Sequence, residues 1–181
     1  MRSRRTHPSA PNYFFQVSGS LSCSGKAKFR ARELKTTLYT SELLLPRGRS
    51  EVFPYFANAE NLEALTPPWL RFRIATECPI AMQKGCLIDY KLRVRGIPLH
   101  WRTEITAWEP PCRFVDEMRR GPYRVWIHEH IFEEHPDGTL VIDRVNYAVP
   151  GGRIIDRLFV RRDIETIFAF RRQKLLQVFS R

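Results

Sequence analysis

Apolar and polar residues alternate along the middle of the chain, between positions 79 and 150. Alternation with a period of two is typical of β-strands that bury one face. Turn signals interrupt the pattern at short intervals, at Gly96-Ile97-Pro98, Pro110-Pro111, Gly121-Pro122 and Asp137-Gly138. Gly, Pro and Asp at such points favour hairpin connections. The pattern therefore predicts a meandering antiparallel sheet.

The full set of predicted elements is a seven-stranded sheet and three helices. The strands are predicted at 36–45, 70–76, 86–94, 99–108, 112–118, 123–133 and 139–148. Two short helices, one capped by Ser50 and one over 58–65, lie between the first two strands. A long helix is predicted over 154–179. The fold class is α+β: an antiparallel sheet wrapped around a long C-terminal helix, with an apolar hollow between them.

Helical spacing identifies the face of the long helix that docks on the sheet. Its apolar stripe comprises Val160, Ile164, Ile167, Phe168, Leu175, Val178 and Phe179. The basic residues that we expect to face solvent are Arg161, Arg162, Arg172 and Lys174.

Strand parity predicts which residues line the hollow. Those expected on the inner face are Tyr90, Trp101, Thr103, Phe114, Asp116, Trp126, His128, His130, Phe132, Asp143 and Tyr147. A two-residue turn at Gly96-Ile97 would place Tyr90 opposite Thr103. A three-residue turn after the fifth strand would bring Arg124 into the hollow, opposite Asp116.

The last hairpin carries the most distinctive pattern. A four-residue turn around Asp137-Gly138 would set His130 across from Asp143 on the inner face. Glu129 and Arg144 would then meet on the outer face, which is an ordinary solvent-exposed pair. A buried imidazole beside a carboxylate is held in one tautomer or becomes charged.

Charge and composition change this interpretation little. The 181 residues are enough for one domain with a substantial core. Of the formal net charge of +11, a net +7 lies within positions 1–35 and only +4 in the remainder. We interpret 1–33 as a flexible basic arm, with a targeting segment or a wrongly assigned start as alternatives. The domain proper is predicted over 34–181.

Other composition signals restrict the function classes. Four scattered cysteines, without CxxC spacing, predict reduced thiols in a cytoplasmic protein. No apolar run approaches the length of a transmembrane helix. Surface arginines such as Arg71, Arg73, Arg93 and Arg95 come with no base-stacking motif, so specific nucleic-acid binding is not expected.

An ordered set of segments resembles the SRPBCC superfamily of START-related, birch-pollen-allergen-like helix-grip domains. In particular, the chain resembles the small bacterial ligand-binding group labelled cyclase/dehydrase. The resemblance covers 34–179 and is carried by Asn61-Leu62, Leu65-Thr66-Pro67-Pro68-Trp69, Gly96-Ile97-Pro98, Trp101-Arg102-Thr103, Phe114-Val115-Asp116-Glu117, Gly121-Pro122-Tyr123, Trp126, His128, His130, Phe132, Asp143, Val145, Tyr147, Pro150, Arg161, Ile167-Phe168 and Arg171. It implies a sheet that grips the terminal helix around a ligand cavity, and it implies no particular reaction.

His128, His130 and Asp143 are the catalytic candidates, and three interpretations of them stay open. They could form a structural polar network, orient a ligand or act as an acid/base pair, or hold a metal as two His and a carboxylate. The resemblance brings no metal, so no metal and no cofactor are expected. No serine elbow or activated cysteine supports nucleophilic catalysis.

The leading hypothesis from the sequence is binding of a small, mainly hydrophobic molecule, such as a lipid, a sterol or an aromatic polyketide. Its polar end would be fixed by His128, His130, Asp116, Arg124 and Asp143. One alternative is a cyclase or dehydratase that uses His130, tuned by Asp143, as its acid/base. Another is a regulatory interaction domain with a vestigial cavity.

Overall fold

The computed structural model describes residues 35–180. The strands are β1 (Thr37–Leu45), β2 (Arg73–Ile74), β3 (Leu87–Val94), β4 (Ile97–Glu109), β5 (Arg113–Arg120), β6 (Val125–His135) and β7 (Gly138–Ala148). The helices are α1 (Arg49–Ala57), α2 (Asn61–Ala64), α3 (Gly152–Ile155) and α4 (Arg161–Phe179). A 3₁₀ turn (Pro68–Leu70) precedes β2, and a π-helical turn (Asp156–Val160) joins α3 to α4. The predicted arm at 1–33 lies outside the described residues and stays a prediction.

The seven strands form one antiparallel sheet in the order β1-β7-β6-β5-β4-β3-β2. From β2 to β7 each strand pairs with the next along the chain, and β1 closes on β7. The long C-terminal helical segment runs from Gly152 to Phe179. The predicted fold class is therefore confirmed.

Two tight turns set the register of the hairpins that carry the inner-face residues. At β3–β4 the turn residues are Arg95 and Gly96, both with positive φ, a geometry that suits two-residue hairpins. This corrects the expected turn by one position, so Tyr90 pairs with Trp101 and not with Thr103. At β6–β7 the register confirms His130 opposite Asp143.

The terminal helix buries a stripe at spacings of three and four residues. The buried members are Ile164, Phe168, Arg171, Leu175 and Phe179. The stripe contains an arginine that the sequence analysis did not place. Val178, which was expected to dock, is 42% exposed. The expected cap of α1 is also corrected, because Ser50 lies inside the helix and Gly48 precedes it.

The core of residues 35–180 contains three clusters of buried side chains. One cluster contains Leu45, Phe53, Phe132 and Leu175, and a second contains Val145 with Ile164 and other side chains of β7 and α4. Full burial of such side chains stabilises the fold by about 1.5–3 kcal/mol each. A third group around Ile88 covers the β3 side. The space between these clusters is the hollow that the sequence predicts.

Within the described residues, no helix has the length and apolar character that a membrane span requires.

Candidate ligand-binding site

A cavity of about 220 Å³ lies between the sheet and the terminal helix. Its sheet wall is formed mainly by Ile88, Tyr90, Leu92, Trp101, Ile105, Phe114 and Trp126. The segment from α1 to β2 covers it with Tyr55, Phe56, Leu62, Leu65, Leu70 and Phe72. α4 contributes Ile164, Ile167, Phe168 and Arg171. The walls are therefore mainly apolar and aromatic, which is the usual composition of small-molecule sites.

Five polar side chains meet beside the cavity, where the sheet faces α4, and we call them the polar cluster. They are Asp116 on β5, His128 and His130 on β6, Asp143 on β7 and Arg171 on α4. The strand register explains their meeting, because Asp116 pairs with His128 and His130 pairs with Asp143. Alternate residues of β6 share one face, so both imidazoles project from the same side of the sheet.

His130 lies between the two carboxylates. Its Nε2 is 3.0 Å from Oδ2 of Asp116, and its Nδ1 is 2.9 Å from Oδ1 of Asp143. Phe114 stacks on the imidazole with ring centroids 4.2 Å apart. An ionised carboxylate only accepts hydrogen bonds, so both partners are satisfied when both ring nitrogens carry protons. The geometry favours a protonated His130.

His128 shares the same Asp143 oxygen. Its Nε2 is 2.9 Å from Oδ1 of Asp143, whereas its Nδ1 is 3.6 Å from Oδ2 of Asp116. The second distance is too long for a hydrogen bond. The centroid of the ring is only 3.8 Å from that of His130, which disfavours a charge on both imidazoles. His128 is therefore neutral, with its proton on Nε2 and a lone pair on Nδ1.

Arg171 supplies a positive charge from the terminal helix. Its terminal nitrogen is 3.7 Å from Oδ1 of Asp143, and its guanidinium carbon is 5.2 Å from the centre of the Phe56 ring. The side chain is only 10% exposed, and its Nε has no hydrogen-bond partner among residues 35–180. A buried donor without an acceptor costs about 1–3 kcal/mol. Arg171 also lines the cavity.

The two histidines have pKa values shifted in opposite directions. Burial lowers the pKa of His128, and the charge on His130 lowers it further. Burial alone would also lower the pKa of His130, but hydrogen bonds to Asp116 and Asp143 outweigh it and raise that pKa above its ordinary value. Hydrogen bonding to the charged form thus decides the state of His130.

Both carboxyl groups of the cluster stay ionised. Burial alone would raise the pKa of Asp143, but the charge of Arg171 and the hydrogen bonds from both imidazoles hold it well below its usual range. Burial also opposes ionisation of Asp116, and the hydrogen bond from His130 outweighs that effect and lowers its pKa. With His130 protonated, two carboxylates, one guanidinium and one imidazolium sum to a net charge of zero.

Asp116, His128 and His130 also have the spacing of a metal site, since one ligand atom from each lies within 4.8 Å of the others. The sequence placed Asp143 in the carboxylate position of such a site, and the structure has Asp116 there. A divalent cation would displace the His130 proton that balances the cluster. It would also lie close to Arg171, whose terminal nitrogen is 3.5 Å from Nδ1 of His130. We therefore assign these groups to the hydrogen-bonded network.

The structure brings most of the predicted ligand-binding residues to the cavity wall. Those that line it are Tyr90, Trp101, Phe114, Asp116, Trp126, His128 and His130. Thr103 and Asp143 lie behind this wall. The Thr103 hydroxyl donates to Oδ1 of Asp116 at 3.2 Å, so both residues act on the groups that face the cavity.

Three predicted residues lie elsewhere. Phe132 packs in the core, with ring centroids 5.2 Å from Phe53 and 5.0 Å from Phe56. The Tyr147 hydroxyl is buried and donates to Asp156 at 2.8 Å. Arg124 is exposed, which corrects its placement in the hollow. The register puts Asp116 opposite His128, four residues beyond Arg124, because the β5–β6 connection is longer than three residues.

The cavity residues outside the sheet are not predicted as ligand-binding residues from the sequence. Arg171 carried a usable signal, because it lies seven residues after Ile164 and four before Leu175, on the buried stripe. The sequence alone does not predict its burial, because a basic residue in an amphipathic helix usually faces solvent. The opposite wall of the cavity is closed by Phe56, Leu65 and Phe72. No periodic pattern in the sequence predicts that the short elements carrying them pack against the sheet.

No model of a known protein family matches the chain, and no curated protein matches it in sequence. Solved structures match its fold. Protein Ms6760 from Mycobacterium smegmatis is 15% identical, with a TM-score of 0.61 over 82% of this chain and 94% of that one. Ara h 8.0201 is 14% identical, with a TM-score of 0.56 over 79% of this chain and 99% of that one.

A nucleoside-diphosphate sugar epimerase from Corynebacterium glutamicum is 22% identical, with a TM-score of 0.58. The match covers 77% of this chain but only 28% of the epimerase chain. At these identities the comparisons establish the fold and not the function. The chain has the helix-grip fold of Bet v 1-like proteins.

Proposed function

We propose that this protein binds a small, mainly apolar molecule in the cavity between the sheet and the terminal helix. The observation that carries the proposal is an apolar, aromatic-lined cavity with one polar wall. Its volume of about 220 Å³ exceeds the roughly 150 Å³ that admits benzene and is below the roughly 300–1,000 Å³ of drug-sized sites. A ligand of one or two rings, or a short acyl chain, fits better than a sterol.

The polar cluster indicates the chemistry of the polar end of the ligand. Arg171 offers an unpartnered Nε donor beside the cavity, and a carbonyl or hydroxyl oxygen is the matching acceptor. With His130 protonated, the cluster has no surplus charge to balance an anion in a low-dielectric site. The preferred ligand is therefore uncharged and carries one acceptor oxygen on an aromatic or aliphatic body.

Three related probes test this proposal. Naphthalene, 2-naphthol and 2-naphthoate share one ring system and differ in the oxygen group and the charge. We expect 2-naphthol to raise the melting temperature and bind most tightly in calorimetry. Naphthalene should bind more weakly because it lacks the acceptor oxygen. 2-Naphthoate should bind more weakly because its charge is not balanced in the site. Failure of all three to bind, or strongest binding of the anion, would contradict the proposal.

A variant that fills the cavity provides a matched control. Leu62 on α2 is half-buried and lines the cavity, whereas Ile127 is half-buried on β6 and does not line it. Leu62→Trp should abolish 2-naphthol binding because the indole occupies the space of the ligand. Ile127→Trp should leave binding intact. Equal binding by both variants would place the ligand outside the cavity.

Catalysis by the same site is the second candidate function, and one observation favours it. Both ring nitrogens of His130 are engaged by carboxylates, but Nδ1 of His128 has no partner within hydrogen-bond distance among residues 35–180. A neutral imidazole with a free lone pair can accept a proton from a carbon next to a carbonyl group. The base of a cyclase or dehydratase reaction would then be His128, with Asp143 fixing its tautomer.

Hydrogen–deuterium exchange separates this candidate from simple binding. A ketone ligand such as 2-acetylnaphthalene should exchange its methyl protons with solvent deuterium faster in the presence of an enzyme of this type. His128→Gln should abolish that acceleration while binding persists. Binding with no acceleration by the wild type supports the carrier function alone.

We also propose that the protein is cytoplasmic. The three cysteines in the described part of the chain, Cys78, Cys86 and Cys112, are all free thiols. Free thiols are typical of reducing compartments.

A further inference from the structure

Four large apolar side chains are exposed at the start of the C-terminal helical segment, and we call them the apolar patch. Ile154 is 72% exposed and Leu158 56%, and Ile155 and Phe159 are 39% and 42% exposed. Residues four apart in a helix share a face, so Ile154 and Leu158 are neighbours, as are Ile155 and Phe159. Contiguous exposed apolar groups of this kind mark interaction sites more often than isolated ones do.

Arginines accompany the apolar patch at helical spacing. Arg153, Arg157, Arg161 and Arg162 are all exposed. Arg161 pairs with Glu165 at 3.2 Å, whereas Arg153 and Arg157 pair with no carboxylate among residues 35–180. Three of these arginines, Arg153, Arg157 and Arg161, line one surface depression together with Ile154 and Leu158 of the apolar patch, and Thr37 and Asp156 complete its lining. The patch therefore combines apolar contact with a site for negatively charged groups.

The acidic residue of the same segment lies beneath it. Asp156 is buried and accepts hydrogen bonds from the Tyr147 hydroxyl at 2.8 Å and from the Thr37 hydroxyl at 3.3 Å. These bonds tie the π-helical turn to β1 and β7. Because the anchor is on the inner side, the apolar patch is held facing outward, and the surface that it presents is basic.

The apolar patch lies beside one end of the cavity. The Arg95 guanidinium lies over the Phe159 ring at 4.9 Å and pairs with Asp163 at 3.0 Å. Arg95 is in the β3–β4 turn, directly after Val94, which lines the cavity. Ile97, on the other side of the turn, is 64% exposed. Apolar and basic groups thus surround this end of the molecule.

We propose that the apolar patch and its arginines dock on the surface of an anionic lipid bilayer. A helical segment with exposed isoleucine, leucine and phenylalanine and flanking arginines suits the boundary between headgroups and acyl chains. Anionic headgroups match the unpaired guanidinium groups. Docking would also bring the cavity end next to a bilayer, where apolar molecules concentrate, and so assist ligand uptake. This role rests on the proposed function.

Vesicle sedimentation with the full chain tests the docking. The probes are phosphatidylcholine vesicles with and without phosphatidylglycerol. Ile154→Ser combined with Leu158→Ser should weaken partitioning to the mixed vesicles about tenfold or more, because the apolar contact is lost. Arg157→Glu should also weaken it, most strongly at low salt. The matched controls Leu87→Ser and Lys84→Glu alter exposed residues away from the apolar patch and should bind as the wild type does.

The basic residues at positions 1–33 are present in every variant, so the comparison isolates the apolar patch. Equal vesicle binding by the patch variants and the controls would overturn the proposal. So would a wild-type dimer that Leu158→Ser converts to a monomer, because the patch would then be covered by a second copy. Each variant is also tested with 2-naphthol in the absence of vesicles. Vesicle docking without 2-naphthol binding would remove the proposed function and leave the docking surface.

Discussion

His130 and Asp143 face each other across β6 and β7, with 2.9 Å between Nδ1 of the imidazole and Oδ1 of the carboxylate. The same oxygen lies 2.9 Å from Nε2 of His128. Asp143 therefore sets the orientation of both imidazoles that reach the cavity, although it does not line the cavity itself. The stability and the chemistry of the site both depend on this one carboxylate.

Removal of the Asp143 charge should destabilise the protein strongly. Asp143→Asn keeps the shape of the side chain but leaves Arg171 and His130 without their common anionic partner. Removal of one partner of a buried ion pair lowers the free energy of unfolding by about 3–5 kcal/mol. We expect a loss of this size in the free energy of unfolding, measured by urea denaturation.

Asp89→Asn is the matched control, because Asp89 forms an exposed pair with Arg102 at 2.8 Å on β3 and β4. Exposed pairs contribute about 0–1 kcal/mol. If Asp143→Asn is no more destabilising than Asp89→Asn, the polar cluster is not the ionised network described above.

The contribution of His130 to stability should fall as pH rises. Its pKa is raised in the folded state, so its stabilising effect is complete below the ordinary histidine value of about 6.5 and is lost as pH rises through the folded pKa. The free energy of unfolding of the wild type should therefore exceed that of His130→Gln by more at pH about 5.5 than at pH about 9.

The contribution of His128 to stability should change with pH in the opposite direction in the same experiment. Its pKa is lowered, so the unfolded chain takes up a proton below about 6.5 that the folded state resists. The wild type should lose stability relative to His128→Gln as the pH falls. Two variants that respond to pH in the same direction would refute the assignment of one charged and one neutral imidazole.

The sequence predicted the sheet and the last hairpin because those features follow from local patterns. The outward pair of Glu129 and Arg144, with 3.7 Å between their charged atoms, required His128, His130 and Asp143 to point inward. The alternation of side chains along a strand is enough to predict this, because a shift of one residue would exchange the two faces of the strand.

Connection lengths and helix docking were harder to predict. Arg95 adopts positive φ, which is uncommon for an arginine, so the sequence predicts the turn one position too late. Arg124 lies in the β5–β6 connection, at 121–124, and is exposed there and not in the hollow. The role of Arg171 depends on which partners α4 meets across the groove, and no local pattern specifies that.

Replacement of Arg171 by lysine should weaken binding of an oxygen-bearing ligand. Arg171→Lys keeps the positive charge near Asp143 but removes the Nε donor. A hydrogen bond to a charged group contributes about 1.5–3 kcal/mol, so the affinity for 2-naphthol should fall by at least tenfold. The affinity for naphthalene, which has no acceptor, should change little. Equal losses for both ligands in calorimetry would show that Arg171 only supports the fold.

Phe132 should matter for folding and not for the ligand. Its side chain is 1% exposed and packs between α1 and the sheet. Phe132→Ala should lower the free energy of unfolding by about 3–5 kcal/mol, measured by urea denaturation. At a temperature where the variant is folded, its affinity for 2-naphthol should match that of the wild type. A selective loss of affinity would return Phe132 to the ligand-binding residues.

A crystal structure of the protein soaked with 2-naphthol tests the central claim most directly. The account predicts ring density in the cavity near Trp101 and Trp126, with the hydroxyl oxygen within hydrogen-bond distance of Nε of Arg171. Density only at the surface, or a cavity closed by its own side chains, would contradict it.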